Sequence, residues 1–321
     1  MAKLRSLWIR KSTQRLGGVV TYVMKGQTIG RELAASVANP RTVAQMNQRL
    51  KLANLVAFYR VSRPWMNRGA FETKKQTWSD YNAFVSKNIG FTTVALNKTE
   101  ASGGACVIEP FQVTEGSLSP LEYKVSDTGT IAQIAITNLA GLGDLGVPES
   151  VGKLAEMFIQ AGLAQNGDQF SLIIYRNKRL SNGLPFVSMK AIEVILDRFS
   201  TAEISDVFGF GFYDYDDEEL GLQFEISHPA SETLGVAMII SRTTPNGLKV
   251  SSQRVVLGNS FFADAYSTTE QWNEAVASYG TSGVNFLDST SVQAGANSGG
   301  TNDGNDDEGA SGVGDPSDVT P

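Results

Sequence analysis

Residues 39–88 read NPRTVAQMNQRLKLANLVAFYRVSRPWMNRGAFETKKQTWSDYNAFVSKN. Apolar residues recur at Val43, Met46, Leu50, Ala53 and Ala57, and Leu52, Leu55, Val56 and Tyr59 widen the stripe. That is the 3.6-residue period of a helix with one buried face. Pro40 suits a first turn, where its missing N–H is not needed. Thr42 and Gln45 have the spacing of a capping box, and Asn39 is the other candidate cap. Pro64 ends or kinks this helix, because the residue before a proline avoids the α region. Trp65, Met66 and Phe71 supply apolar area at the bend. Ser79 or Thr77 caps a second helix carrying Trp78, Tyr81, Phe84, Val85 and Ile89, and Gly90 is its stop. The stretch predicts a helical hairpin whose aromatics pack on one another and on a neighbouring domain.

The hairpin is also basic. Arg41, Arg49, Lys51 and Arg60 fall mostly off the apolar stripe, and Arg63, Arg68, Lys74 and Lys75 follow. Residues 1–75 hold 15 Lys/Arg against two acids, Glu32 and Glu72, a net of +13. The remainder holds 12 against 31, a net of −19. Asymmetry of that size fits an anionic partner at the basic end, or neutralisation of the acidic part within the chain or between subunits. The candidate partner-binding set is Arg41, Arg49, Lys51, Arg60, Arg63, Trp65, Arg68, Lys74 and Lys75.

Upstream, Leu4, Leu7, Trp8 and Ile9 read as a strand, and Val19 to Met24 as another. Gly17-Gly18 between apolar runs is a hairpin signal, because glycine accepts the positive φ of tight turns. Residues 27–37 fit neither period cleanly. Downstream, residues 97–105 (NKTEASGGA) read as a linker. From Cys106 the pattern turns to period-two alternation. Candidate strands are 106–113, 121–125, 130–138, 169–176, 186–196, 220–227, 234–243 and 247–257. Asn182-Gly183 and Asn246-Gly247 are turn signals. One amphipathic helix over 148–163 interrupts, and 261–279 predicts another. The expected fold class is α+β: an N-terminal β-hairpin, a helical hairpin, then a mainly antiparallel β-sandwich with an inserted helix. The expected divisions are a basic module over 1–96, a linker over 97–105, a sandwich over 106–260 and a C-terminal helix over 261–284. The tail from 285 has seven acids and no Lys or Arg, a composition expected to stay disordered.

The first third resembles an uncharacterised family of Bacteroidetes proteins, a domain of unknown function with relatives in gut phages and prophages. The residues that carry the resemblance are Gly17-Gly18, Lys25-Gly26, Arg31, Asn39-Pro40-Arg41-Thr42 with Gln45 and Arg49, Ser79-Asp80-Tyr81-Asn82, and Asn88. The resemblance implies a small N-terminal module followed by an immunoglobulin-like sandwich. It brings no catalytic residues.

Little points to an enzyme. Gly141, Gly143 and Gly146 spell GxGxxG, with Asp168 downstream. Asp144 and Glu149 would oppose a pyrophosphate, and Pro148 starts the helix only after the third glycine. A strand-to-helix loop is the expectation. Asp214, Asp216, Asp217, Glu218 and Glu219 form an acidic loop, read as solvated, with a weak cation site as the alternative. His228 is the single histidine and precedes Pro229, so a turn histidine is expected. Cys106 is the single cysteine. Zinc sites use several Cys/His ligands, so no metal and no cofactor are expected. No apolar run approaches the roughly 18 residues of a membrane span, and no h-region follows the first residues. The expected setting is cytoplasmic or virion-associated, and the Asn97 sequon is set aside.

The reading is a non-enzymatic structural or binding protein, phage- or mobile-element-associated by resemblance, docking through its basic aromatic module. A protein partner or self-association is expected. The alternatives are nucleic-acid binding by residues 1–75 and a carbohydrate-binding or adhesion sandwich.

Overall fold

The computed structural model describes residues 2–3, 15–16, 18–24, 27–32, 43–140, 146–214, 221–245 and 247–279. The chain splits into two compact units, one holding Met1–Gln45 and the other Met46–Asp288. In the first, β1 (Ala2–Lys3), β2 (Arg15–Leu16), β3 (Val19–Met24) and β4 (Gln27–Glu32) form an antiparallel sheet in the order β1-β4-β3-β2. Leu16 pairs with Val19 across Gly17-Gly18. Met24 pairs with Gln27, so part of the stretch left unassigned by pattern is a strand. The expected strand at Leu4–Ile9 lies outside the described residues.

The second unit begins inside α1 (Val43–Met66), at Met46, and continues with α2 (Asp80–Asn88) and α3 (Lys98–Ser102). Pro64 lies within α1, which runs on to Met66. Ser79 caps α2, its Oγ accepting from Asn82 N at 3.2 Å. The expected linker is instead α3. Asn97 and Glu100 close a capping box, each side chain accepting from the other's backbone N–H at 2.8 Å.

Then come β5 (Gln112–Thr114), β6 (Tyr123–Asp127), β7 (Ile131–Ile136), α4 (Val151–Gln160), β8 (Gln169–Arg179), β9 (Pro185–Ile195), α5 (Ile204–Phe208) and β10 (Phe212–Asp214). After them lie β11 (Leu222–Ser227), β12 (Thr233–Thr244), β13 (Gly247–Val250), β14 (Gln253–Arg254), β15 (Val256–Leu257), α6 (Phe261–Tyr266) and α7 (Thr269–Ser278). The expected C-terminal helix is two helices, the second capped by Thr268. α7 reaches α3: Lys98 N donates to Ser278 Oγ at 2.8 Å, and Gln271 Nε2 to Glu100 Oε2 at 3.0 Å.

The architecture is mixed α and β, with antiparallel sheets. One sheet runs β6-β7-β11-β10 and another β9-β8-β12-β13, with β15 also on β12. Side chains alternate across a strand, so β8 and β12 each present two faces. Phe170, Leu172, Ile174, Val236, Met238 and Ile240 share one core with Ile134, Ile136 and Phe224 of the other sheet and with Leu154 and Phe158 of α4. The intervening Ile173, Tyr175, Ala237 and Ile239 share a second core with Leu55, Phe58 and Trp65 of α1 and Phe84 of α2. The layers are therefore sheet, sheet and helices. A strand buried on both faces is apolar throughout rather than alternating. That is why Thr233–Ser241 is buried at every position.

Two expectations change. The boundary at residue 96 does not part the helices from the sheets, because they share a core. The expected strand at 106–113 is mostly not one: only Gln112–Thr114 pairs, with β14. The rest is held by side chains and by two isolated backbone bonds, Cys106 N donating to Pro185 O and Val255 N to Phe111 O, each at 2.9 Å.

Candidate functional site

Three buried asparagines grip that segment and the first residue of β5. Asn54 on α1 accepts from Val107 N at 2.9 Å and donates to Val107 O at 3.0 Å. Asn88 at the end of α2 accepts from Gln112 N at 2.8 Å and donates to Gln112 O at 3.0 Å. Asn177 on β8 accepts from Ile108 N and donates to Cys106 O, at 3.3 and 3.2 Å. Buried backbone groups need such partners where no ladder supplies them. Glu109 is 3 % exposed and accepts from Asn54 Nδ2 at 3.0 Å, from Thr93 N at 2.7 Å and from Thr93 Oγ1, Val94 N and Thr92 Oγ1. Burial, and then the Glu109 charge, hold the Cys106 thiol well above its ordinary range.

With its inner face fixed, α1 turns its outer face to solvent. Arg49, Val56, Arg60 and Arg63 follow one another at helical spacing along that face, the first two half-buried and the last two exposed. Arg49 and Arg63 stand about 21 Å apart along the axis at 1.5 Å per residue. Arg60 and Arg63 are exposed and, among the described residues, no acid pairs with them. Arg49 is half-buried and reaches Met46 Sδ at 4.0 Å. Lys51 is half-buried, off that face.

The remaining candidates are engaged elsewhere. Trp65 is 5 % exposed and belongs to the core, so it is not a surface anchor. Arg68 pairs with Glu193 at 2.5 Å. Lys74 pairs with Asp80. Lys75 sits 4.9 Å over the Trp78 ring. Arg41 lies outside the described residues. The basic set is thus not one patch: among the described residues, Arg60 and Arg63 are its exposed members paired with neither an acid nor a ring, and Trp65 serves the core.

A cleft of about 420 Å³ lies beside β9, lined by residues of β8, β9, β11 and the end of α5. Ile174, Ile226, Phe208 and Phe210 give it an apolar floor, and Arg176, Lys190, Ser188, Ser227 and Glu225 a polar rim. Phe210 stacks on Phe224 at 4.7 Å, and Gly209 takes a left-handed φ of 79° that lets the chain turn between the two phenylalanines. Sequence reasoning missed this cleft. The Phe-Gly-Phe-Gly-Phe run at 208–212 was its one local signal; the cations come from other strands.

The weighed motifs resolve as follows. Asp168 accepts from Arg242 Nε and Nη2, both at 2.7 Å, a bidentate pair that leaves it no ribose to bind. Residues 141–145 and 215–220 lie outside the described residues. His228 is buried, its Nδ1 3.0 Å from Pro229 O and its Nε2 3.1 Å from Asp127 Oδ1. Asp127 also accepts from Asn259 Nδ2 at 2.6 Å, and Asn259 Oδ1 from Thr233 Oγ1 at 2.6 Å. The four tie together the ends of several strands. Among the described residues no group of three or more His, Cys, Asp or Glu could hold a metal ion, and no helix is long and apolar enough to cross a membrane.

Residues 10–97 match the model of a family of unknown function (DUF6266). The match covers β2 to β4, α1 and α2, leaves out β1, and ends before β5. No curated protein and no solved structure matches the chain.

Proposed function

We propose that this chain is a non-catalytic structural or binding protein that associates with acidic protein surface, its own copies included, through the outer face of α1. The observation that carries the reading is the exposed pair Arg60 and Arg63, unpaired by acids among the described residues, in a chain whose other part is strongly acidic. Exposed guanidiniums pair well with carboxylates because their fork matches two oxygens. The sandwich is a rigid body behind this face. Its strand order supports an immunoglobulin-like reading. With β6 to β13 taken as A, B, C, C′, D, E, F and G, the sheets run A-B-E-D and G-F-C-C′.

Light scattering on the whole chain tests association. At low salt the mass should exceed a monomer's and fall toward it at about 1 M salt, where charges are screened beyond about 3 Å. Arg60→Glu with Arg63→Glu should give a monomer at every salt. A monomeric wild type at low salt sinks the proposal. Nucleic-acid binding is the second reading. Burial of Trp65 takes away one base-stacking platform. Single-stranded DNA would then meet phosphate contacts, with affinity falling steeply with log salt.

A further inference from the structure

β9 is an edge strand: it pairs with β8 along all eleven residues and with no other strand in its sheet. Just beyond both ends, even-numbered residues bond toward β8. Leu196 N donates to Asp168 O at 2.7 Å, and Leu180 N donates to Leu184 O at 2.9 Å. Inward and outward bonding alternate along an antiparallel strand. Odd-numbered residues of β9 therefore turn their N–H and C=O outward. The outward carbonyl of Pro185 is taken by Cys106 N at 2.9 Å, and Val187 is fully buried. From Met189 through Ala191 to Glu193, no further hydrogen bond ends on the outward groups among the described residues. These three residues are half-buried or exposed.

The cleft opens on the same edge. The Met189 side chain packs toward the helix layer, yet Met189 lines the cleft, so the cleft meets its backbone. Two cations and one acid belong to the lining. Lys190 is exposed and has no acid partner among the described residues. Arg176 donates to Ser227 O at 3.2 Å and stands 3.7 Å from Glu232. Glu225 is engaged on one oxygen, which accepts from Gln133 Nε2 and Tyr213 OH, each at 3.0 Å.

We propose that the cleft and the open edge of β9 form one binding site for an extended acidic peptide. The peptide adds as a strand against Met189, Ala191 and Glu193, and lays a glutamate-like side chain over the phenylalanine floor toward Lys190 and Arg176. Backbone pairing supplies affinity in such strand addition, and a pocket for every second side chain supplies selectivity. The methylenes of a glutamate suit the apolar floor, and its carboxylate suits the cations. A second copy of β9 answers the site less well. Residues sharing the cleft-side face of β9 are Ser188, Lys190, Ile192 and Val194, none of them acidic. The site does not depend on the α1 face.

Fluorescence anisotropy with the whole chain tests this, using a labelled decapeptide of alternating valine and glutamate. A valine–lysine decapeptide is the charge control. A valine–glutamate decapeptide N-methylated at alternate residues, which removes the donors of one edge, is the pairing control. The acidic peptide should bind at least about tenfold tighter than either control, a gap of about 1.4 kcal/mol. Lys190→Glu should reverse the charge preference. Ala191→Pro, which removes one outward N–H and no ladder donor, should weaken binding about tenfold, a similar gap, with an unchanged thermal melt. If that variant unfolds, the N-methylated peptide decides. No binding by the acidic peptide, equal binding of both charges, or indifference to N-methylation overturns the proposal. So does a salt-insensitive dimer lost in Ala191→Pro, which would give the edge to a second copy.

Discussion

At the scale of single residues, Glu109 is the unusual group. A carboxylate this buried ordinarily pairs with a cation, because desolvating a lone charge is costly. Here five hydrogen bonds from Asn54, Thr92, Thr93 and Val94 replace its hydration. Three parts of the chain meet there: α1, the segment after α2 and the extended segment at 105–111. Glu109→Leu would strand those donors, and an unmet buried donor costs about 1–3 kcal/mol. The expected loss is about 3 kcal/mol or more, read from the urea midpoint at unchanged slope. A loss below about 1 kcal/mol would mean that water or a shifted backbone replaces the carboxylate easily. None of this was legible beforehand. The run around Glu109 looked like a half-buried strand, whose polar residue should face solvent. Its partners sit far along the chain, where no local spacing announces them.

At the scale of elements, α2 shows what local pattern can and cannot give. Its Ser79 cap and its apolar face of Phe84 and Val85 were readable, because capping and periodicity are local rules. Its anchoring was not. Lys87 in its last turn donates to Glu115, just past β5, at 2.6 Å. Burial alone would raise the Glu115 carboxyl, but its bonds with Lys87 and Thr73 outweigh that and hold it below the ordinary carboxylate range. A depressed folded value means stability present above the unfolded value, near pH 4.3 to roughly 4.5, and lost as pH falls through the lower folded one. Glu115→Gln should therefore be less stable than wild type at neutral pH. The difference should shrink as the pH drops from about 5 toward 3. The pair is partly exposed, so the neutral-pH gap should stay within about 1 kcal/mol. A gap that is constant across that range would assign the effect to packing. The missed α3 belongs here too: Asn97-Lys-Thr-Glu100 is a capping box in plain sight, obscured by the glycines and alanines after it.

At the scale of the molecule, most strands of the two larger sheets were legible from apolar patterning and turn residues, while the layer order was not. That order follows from β8 and β12, which contribute to both cores at once. Phe58 of α1 lies 4.9 Å from Tyr175 and 4.8 Å from Phe111, so the helix closes the back of the sheet with aromatic contacts. Ser62 Oγ donates to the buried Tyr175 hydroxyl at 3.2 Å, adding a polar tie across the same seam. A core that shares strands with its neighbour cannot melt separately without exposing both. Calorimetry on a fragment spanning 43–279 should show one transition, with equal calorimetric and van't Hoff enthalpies. A fragment beginning at 97 would bare the inner face of the sheet. Fully burying a large apolar side chain contributes about 1.5–3 kcal/mol, and Ile173, Tyr175 and Ile239 would all lose their cover. Since domains hold only about 5–15 kcal/mol in total, the shorter fragment should fail to give a cooperative melt and should bind a hydrophobic dye. A sharp, dye-free transition from residue 97 onward would show that the sandwich folds without its helices, and would restore a boundary at residue 96.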